Sequence, residues 1–241
     1  MIHLTAVEYV AVLAAVTFGA LVQGLVGFGA NLLAVPVLAL VEPNALPATL
    51  SIWALPLNIS VTVRERHGID WPGATAIVLW RIPGTIAGAL TVAAVSADTI
   101  SVLAGAAVLI GVAATARVTN VPINRWTTAI AALASGAMGT ATSVGGPPLA
   151  LLYQNSRGVV LRSTLAVAFT AGLVMSLVGL GAVGVVDGWH VLLAVTLLPG
   201  VAVGLVLSRL VIRQREGAWL RHAVLILAAS AALLAIGRGF G

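Results

Sequence analysis

Long apolar stretches, separated by short groups of charged and turn-forming residues, divide the chain into blocks. Because one helical span of a bilayer needs about 20 apolar residues, most blocks predict a single membrane-crossing helix. The first block is too long for one pass, and glycine or proline interrupts both the first and the fifth near the middle. The blocks cover residues 5–41, 46–63, 71–95, 99–116, 126–153, 160–186, 189–211 and 217–237.

Two glycine-rich interruptions are the most informative part of this pattern. The first break covers residues 19–31 and the second break covers residues 136–148. Inside lipid every backbone N–H and C=O needs a partner, so a helix broken there usually lines a polar site. Glycine permits unusual backbone conformations, and proline stops a helix and removes N–H donors. Helix N-termini exposed at such breaks favour anions, so the breaks predict a transport site.

The two halves of the chain carry the same features in the same order. The features recur at an offset of 116 or 117 positions. Their register predicts an internal duplication within one transmembrane domain over residues 1–241, with repeat one over 5–116 and repeat two over 126–237. The matches are Gly29 with Gly146, Asp70 with Asp187, and Pro83-Gly84-x-x-x-Gly88 with Pro199-Gly200-x-x-x-Gly204.

Composition places the chain in a membrane. Its 241 residues are 60% hydrophobic and 8% charged, whereas a soluble domain has about 25% charged residues. No cysteine is present, which excludes disulfides and thiolate metal sites. The start of the chain has Glu8 and no basic residue before residue 10, so we expect the first apolar block to be retained rather than cleaved as a leader.

The distribution of arginine predicts the topology. Suppose that the first and fifth blocks each enter the membrane and return to the side from which they came. Ten arginines then fall on one side of the membrane and only Arg238 on the other, with Arg81 inside a block. The positive-inside rule favours this arrangement and places both termini outside. The predicted fold is all-α and polytopic, with two inverted repeats, each a broken or re-entrant helical hairpin followed by three transmembrane helices. The ten arginines are Arg64, Arg66, Arg117, Arg125, Arg157, Arg162, Arg209, Arg213, Arg215 and Arg221.

Arg81 is the charged residue placed deepest within a block. It lies ten positions after Trp71, where its block begins, and is therefore roughly 15 Å deep. A charge there usually faces a cavity or partner, and every carboxylate falls at a block end. An anionic substrate is then a natural partner, since guanidinium binds oxyanions through paired hydrogen bonds. One alternative is a structural role, in which Arg81 snorkels or bonds backbone carbonyls at the breaks. The other is that the block boundary is misplaced and Arg81 lies less deep.

We predict a substrate site formed by Arg81, the two breaks and neutral polar side chains near them. The alternative interpretation is that the small residues serve close helix packing and that Asn58 forms an interhelical hydrogen bond. No catalytic residue, metal ligand or cofactor is predicted, because no histidine cluster or H-E-x-x-H motif is present. The candidate residues are Gln23, Gly24, Gly27, Phe28, Gly29, Asn31, Asn58, Arg81, Thr140, Thr142, Ser143, Gly145, Gly146 and Pro147.

These features together resemble the sulfite exporter TauE/SafE family of small bacterial permeases. The likeness covers nearly the whole chain and lies in the first break through Val35-Pro36, the Gly68-Ile69-Asp70-Trp71 loop, and Gly145-Gly146-Pro147-Pro148-Leu149. Phe28 and Asn31 depart from the denser glycine run common in the family. The resemblance implies export or import of a small sulfur-containing or organic anion, such as sulfite or an organosulfonate.

The expected function is secondary transport of a small oxyanion, most simply sulfite or an organosulfonate, by alternating access. The expected setting is the bacterial inner membrane, with the anion and lipid as partners and no nucleic acid, and either a monomer or a homodimer. The alternatives are an anion channel of the same architecture and a carrier of another small organic anion. An enzyme would need a nucleophile with a general base, yet every histidine and carboxylate lies towards a block end.

Overall fold

The computed structural model describes residues 4–117 and 120–212 of the protein, and over these ranges it contains nine α-helices and no strand. The eighth predicted block, residues 217–237, lies outside the described residues. The helices are α1 (Ala6–Val26), α2 (Ala30–Val41), α3 (Ala48–Arg64), α4 (Trp71–Ala94), α5 (Ala97–Arg117), α6 (Arg125–Thr142), α7 (Gly146–Tyr153), α8 (Gly158–Ala182) and α9 (Gly188–Ile212).

Five of these helices, α1, α4, α5, α8 and α9, are long and apolar enough to cross a membrane. This confirms the prediction of an all-α, multi-pass chain. Capping side chains mark where two of these helices begin. Thr5 and Glu8 form a reciprocal capping box at the start of α1, and the Asp70 side chain accepts a hydrogen bond from the Gly73 N–H at the start of α4. Such caps satisfy N–H groups that have no partner within the helix.

Both predicted breaks interrupt a helix. Gly27 and Gly29, with φ of 95° and 105°, separate α1 from α2, and Ser143, with φ of 62°, ends α6. The left-handed backbone region is strained for most residues with a β-carbon, so glycine suits the first break. After each break the chain packs back against the helix it has just left. The N-terminus of α2 lies against Gly19, and Gly145 lies against Ser135.

Small residues bring the long helices close together. Gly84 and Gly88 of α4 lie against the backbone of α6, whereas Gly200 and Gly204 of α9 lie against the side chains and backbone of α1. A glycine at a crossing lets two backbones approach, which is how helices commonly associate in membranes. The glycines of the two Pro-Gly-x-x-x-Gly segments therefore serve helix packing. Helices α3 and α8 also pack on each other, and each contacts one of these two crossing pairs.

Candidate functional site

A cavity of about 50 Å³ lies where the two breaks meet. Because one buried water needs at least about 10–15 Å³, this central cavity has room for a small polyatomic ligand. Asn31 Nδ2 donates to the carbonyl of Ser143 over 2.8 Å and so joins the two breaks directly. The cavity is lined by Gln23, Gly29, Asn31, Leu32, Ala54, Asn58, Arg81, Gly139, Ser143, Val144, Gly145, Gly146, Pro147, Phe169 and Leu173.

Arg81 supplies the charge of the central cavity. The residue lies ten positions into α4 and is only 2% exposed. Its Nη1 donates to Ser135 Oγ over 2.8 Å, and that hydroxyl donates to the Gly145 carbonyl over 2.6 Å. The guanidinium is therefore joined to the second break by two hydrogen bonds through Ser135. Of the residues described as lining the cavity, Arg81 alone is charged.

No carboxylate in the described part of the chain pairs with Arg81. The salt bridges found there join Arg64 and Arg162 to Glu65. Arg81 Nε is buried without a hydrogen-bond partner. A buried cation with an incomplete set of partners is costly, so the arrangement favours a ligand that brings negative charge into the cavity.

Three glycines make room for the guanidinium. A β-carbon on Gly172 of α8 would lie 2.5 Å from Arg81 Cζ, and one on Gly139 of α6 would lie 2.7 Å from Nη2. A β-carbon on Gly136 would approach Arg81 Cγ to 3.0 Å. Real β-carbons essentially never lie under 3.0 Å from such atoms, so a larger residue at Gly139 or Gly172 would have to displace the arginine. The glycines thus leave the space that the guanidinium occupies.

Two helix N-termini contribute to the same cavity. Gly29 and Gly145 are the N-cap residues of α2 and α7, and neither helix has a side-chain hydrogen bond at its cap. Both N-caps line the cavity, together with the first turns of their helices. The N-terminus of a helix carries partial positive charge. This field has the same sign as Arg81 and again favours an anion.

Neutral amides form the opposite wall. Gln23 Nε2 donates to Asn58 Oδ1 over 2.7 Å, and Gln23 Oε1 accepts from the Ala30 N–H over 3.3 Å. Asn58 Nδ2 donates to the Ala54 carbonyl over 2.8 Å. These bonds tie α1, α2 and α3 together next to the first break. Asn58 forms the interhelical bond expected under the structural interpretation and also lines the cavity.

The structure brings most of the predicted site residues together, although they come from separate parts of the sequence. They reach one cavity because the two breaks, joined by the hydrogen bond from Asn31 to Ser143, lie next to the middle of α4. Whether they bind substrate stays a prediction. The predicted residues found in the central cavity are Gln23, Gly29, Asn31, Asn58, Arg81, Ser143, Gly145, Gly146 and Pro147.

Three predicted residues of the first break do not line the central cavity. A β-carbon on Gly24 would meet the Ser208 side chain of α9, and one on Gly27 would lie 2.8 Å from Arg162 Cγ. These two glycines serve helix packing, the alternative interpretation given above. Phe28 is buried next to Gly146 but lines a different cavity.

Two predicted hydroxyls of the second break are also elsewhere. Thr140 Oγ1 and Ser176 Oγ lie 2.7 Å apart and share a hydrogen bond between α6 and α8. Thr142 Oγ1 donates to the Met138 carbonyl over 2.7 Å. In an unbroken helix successive residues point in different directions, so hydroxyls close in sequence do not share one site. Ser143 differs because it lies in the turn itself.

Some lining residues were not predicted. Phe169 and Leu173 lie one turn apart on α8 and both face the cavity. Apolar residues are so frequent in this chain that nothing in the sequence singles them out. Ala54 could have been found, because it lies four residues before Asn58 and so shares its helix face. The other lining residues not predicted are Leu32, Gly139 and Val144.

Helices of membrane-spanning length around a cavity lined by a buried cation define a multi-pass membrane protein of the transporter type. The family model described as Sulfite exporter TauE/SafE matches residues 11–235. The chain therefore belongs to the sulfite exporter TauE/SafE family, which confirms the resemblance noted in its sequence. No curated protein and no solved structure matches the chain.

Family membership establishes the general activity. The protein is a membrane permease of the anion or sulfite exporter class, and its family consists of transporters rather than enzymes. Its partners are accordingly a small anion and the lipid bilayer. The central cavity is the place in the described structure where a small anion would find positive charge.

Proposed function

We propose that the protein is a secondary carrier of a small oxyanion, sulfite or an organosulfonate, and that the central cavity is its substrate site. The observation that carries this proposal is Arg81, a guanidinium buried at mid-helix on the cavity wall with no carboxylate partner in the described residues. Guanidinium groups bind oxyanions strongly because several N–H donors match the spacing of the oxygens. A small anion would therefore complete the site.

The neighbouring groups define how the anion is held. Arg81 Nη2 lies beside Gly139, which also lines the cavity, and is placed to donate to an oxygen of the ligand. The N-termini of α2 and α7 add a favourable dipole. Phe169 and Leu173 cover the remaining side with apolar surface, which suits the apolar group of a sulfonate. Sulfite would leave this apolar side unused.

We infer that transport proceeds by alternating access of two inverted repeats. In the predicted duplication α1 corresponds to α6, and α4 corresponds to α9. Helix α4 packs on α6 and α9 packs on α1, so each of these contacts is the counterpart of the other. The two breaks meet at the cavity between them, which is the arrangement expected when two related halves rock around a fixed site.

We also propose that the protein lies in the bacterial inner membrane with both termini outside. Arg64 at the end of α3 and Arg162 near the start of α8 share Glu65, so these helix ends lie at one end of the bundle. The positive-inside rule assigns that end to the cytoplasm. Both chain termini lie outside the described residues, and a C-terminal reporter that is active only in the cytoplasm tests their position. A bright signal contradicts the topology.

Anion binding to the purified protein tests the proposed site. We expect sulfite or a short alkylsulfonate to raise the melting temperature of the wild type and to have little effect on Arg81→Ala. Losing hydrogen bonds from a charged group costs about 1.5–3 kcal/mol, so the affinity should fall about 10- to 150-fold. Arg81→Lys is the matched control, because lysine keeps the positive charge but lacks the paired N–H donors. We expect this variant to bind the anion weakly.

Two results would contradict the proposal. The binding mode fails if no oxyanion stabilises the wild type, or if Arg81→Ala responds as the wild type does. The carrier mechanism fails if reconstituted protein gives large unitary currents, since these would identify an anion channel. Saturating flux with counterflow of labelled substrate is the result expected for a carrier.

A further inference from the structure

A second cavity, of about 80 Å³, lies between the first break and the ends of three helices. Its walls include Val26, Phe28, Ala150, Leu151, Gln154 and Leu161. Thr115, near the end of α5, also faces it. This cavity takes no part in the site described above, and it shares no lining residue with the central cavity.

The side chain of Phe28 lies next to residues of both cavities. Phe28 lines the second cavity, and the next residue, Gly29, lines the central cavity. A β-carbon on Gly146 would lie 3.4 Å from Phe28 Cβ and 3.5 Å from Cδ2. Gly146 also lines the central cavity. Phe28 therefore lies next to the second cavity and to two glycines of the central one.

The second cavity lies at the arginine-rich end of the bundle. Leu161 precedes Arg162, whose side chain packs on Gly27 and is joined to Glu65. Thr115 lies two residues before Arg117, the last residue of α5. An anion approaching this end meets an excess of positive charge, which raises its local concentration.

The second cavity also contains a polar group that lacks a partner. Gln154 Nε2 is buried and has no hydrogen-bond partner among the described residues. Leaving a buried donor unpaired costs about 1–3 kcal/mol. An anion oxygen in the cavity would satisfy this donor. With one neutral amide and mostly apolar walls, the cavity would hold an anion weakly, as a site on a transport route must.

An aromatic ring occupies this position in only one half of the chain. The offset that relates Gly29 to Gly146 relates Phe28 to Gly145, which has no side chain. No aromatic ring therefore occupies the corresponding position of the second break.

We propose that the second cavity is a low-affinity waiting site for the transported anion at the arginine-rich end, and that the Phe28 ring is the barrier between it and the central cavity. The proposal rests on the proposed function, since it assigns a route to the same anion. The ring must move aside for substrate to pass, so its removal should connect the two cavities.

Thiol labelling tests the barrier, and the chain suits this method because it has no cysteine. Leu151→Cys reports on the second cavity and Ala54→Cys on the central cavity. The reagent is sulfonatoethyl methanethiosulfonate, itself a sulfonate, added to inside-out membrane vesicles. A state that opens the barrier is populated at about 10% or less, so we expect Ala54→Cys to label at least about tenfold more slowly than Leu151→Cys.

Removing the Phe28 ring should abolish the difference in labelling rate between Ala54→Cys and Leu151→Cys. We expect Phe28→Ala to raise the labelling rate of Ala54→Cys about tenfold or more and to leave that of Leu151→Cys unchanged. The unchanged second rate also shows that the variant is folded. Phe18→Ala is the matched control, because it removes an aromatic ring from the exposed face of α1 that lines neither cavity; it should not raise the rate. Equal labelling of Ala54→Cys with and without Phe28 overturns the barrier.

Protection by methanesulfonate tests the waiting site. We expect the anion to slow labelling of Leu151→Cys, also when Arg81→Gln is present, because Arg81 does not line the second cavity. Gln154→Leu should remove most of the protection. If Phe28→Ala acts as expected but methanesulfonate gives no protection, the cavity is not an anion site and the proposal fails. If protection persists while Arg81→Ala still binds anions normally, the proposed central site fails instead.

Discussion

Gly172→Ala changes the position of the buried charge without removing it. The new β-carbon would lie 2.5 Å from Arg81 Cζ and 2.9 Å from Cδ. The guanidinium must move by about 1 Å to reach an ordinary contact distance. Gly136 and Gly139 of α6 lie close to the same side chain and restrict its movement on their side, whereas the central cavity leaves room on another. The substitution should therefore break the hydrogen bond from Arg81 to Ser135.

The expected loss of stability has two contributions. Overpacking of a well-filled site costs about 1–3 kcal/mol of stability. The lost hydrogen bond belongs to a charged group and is worth about 1.5–3 kcal/mol, and the displaced guanidinium no longer faces the bound anion as before. We expect anion affinity to fall about tenfold to a hundredfold, with the charge itself still present.

The assay is the shift in melting temperature against the concentration of methanesulfonate or sulfite in detergent. Gly181→Ala is the matched control on the same helix, since a β-carbon there meets no atom within 4 Å. It should keep the wild-type affinity and lose no stability, because alanine favours helix more than glycine does. Wild-type affinity in Gly172→Ala would refute the argument that glycine packing positions Arg81 for binding.

Two further predictions distinguish residues that stabilise the fold from residues that bind the anion. Glu65→Gln leaves Arg64 and Arg162 without their shared carboxylate, so it should lower the free energy of unfolding by about 1–3 kcal/mol, measured by thermal unfolding in detergent; an unchanged melting temperature contradicts this. Thr140→Val removes the partner of Ser176 outside the central cavity. It should lower stability by about 1–3 kcal/mol and leave anion affinity unchanged, whereas a loss of affinity would place Thr140 in the site.

The helices of this protein could be predicted because lipid leaves few alternatives. Apolar blocks that must satisfy their own backbone become helices, and the ends of the described helices fall close to the predicted block ends. Both breaks were also predictable, since Gly27, Gly29 and the Gly145–Pro148 segment disfavour a continuous helix. The burial of Arg81 followed from its distance to the start of α4 alone.

The composition of the site was predicted less completely. Asn31, Ser143 and Gly145 were found because they lie in the breaks themselves, where side chains and backbone turn towards the cavity. Gly24 and Thr140, in the same segments, do not line the cavity because each is still helical, and its direction depends on the neighbouring helix. Sequence distance from a break does not determine the direction of a side chain.

The sequence by itself determined that this is a helical membrane protein of the sulfite exporter family with two interrupted helices and one deeply placed cation. These properties are set by local apolarity, by glycine and proline, and by the cost of charge in lipid. Only the tertiary structure decided that the breaks meet, that Gly139 and Gly172 enclose Arg81, and that Phe28 lies next to residues of two cavities. Those contacts join residues far apart in the chain, and many apolar side chains would satisfy the pattern equally well.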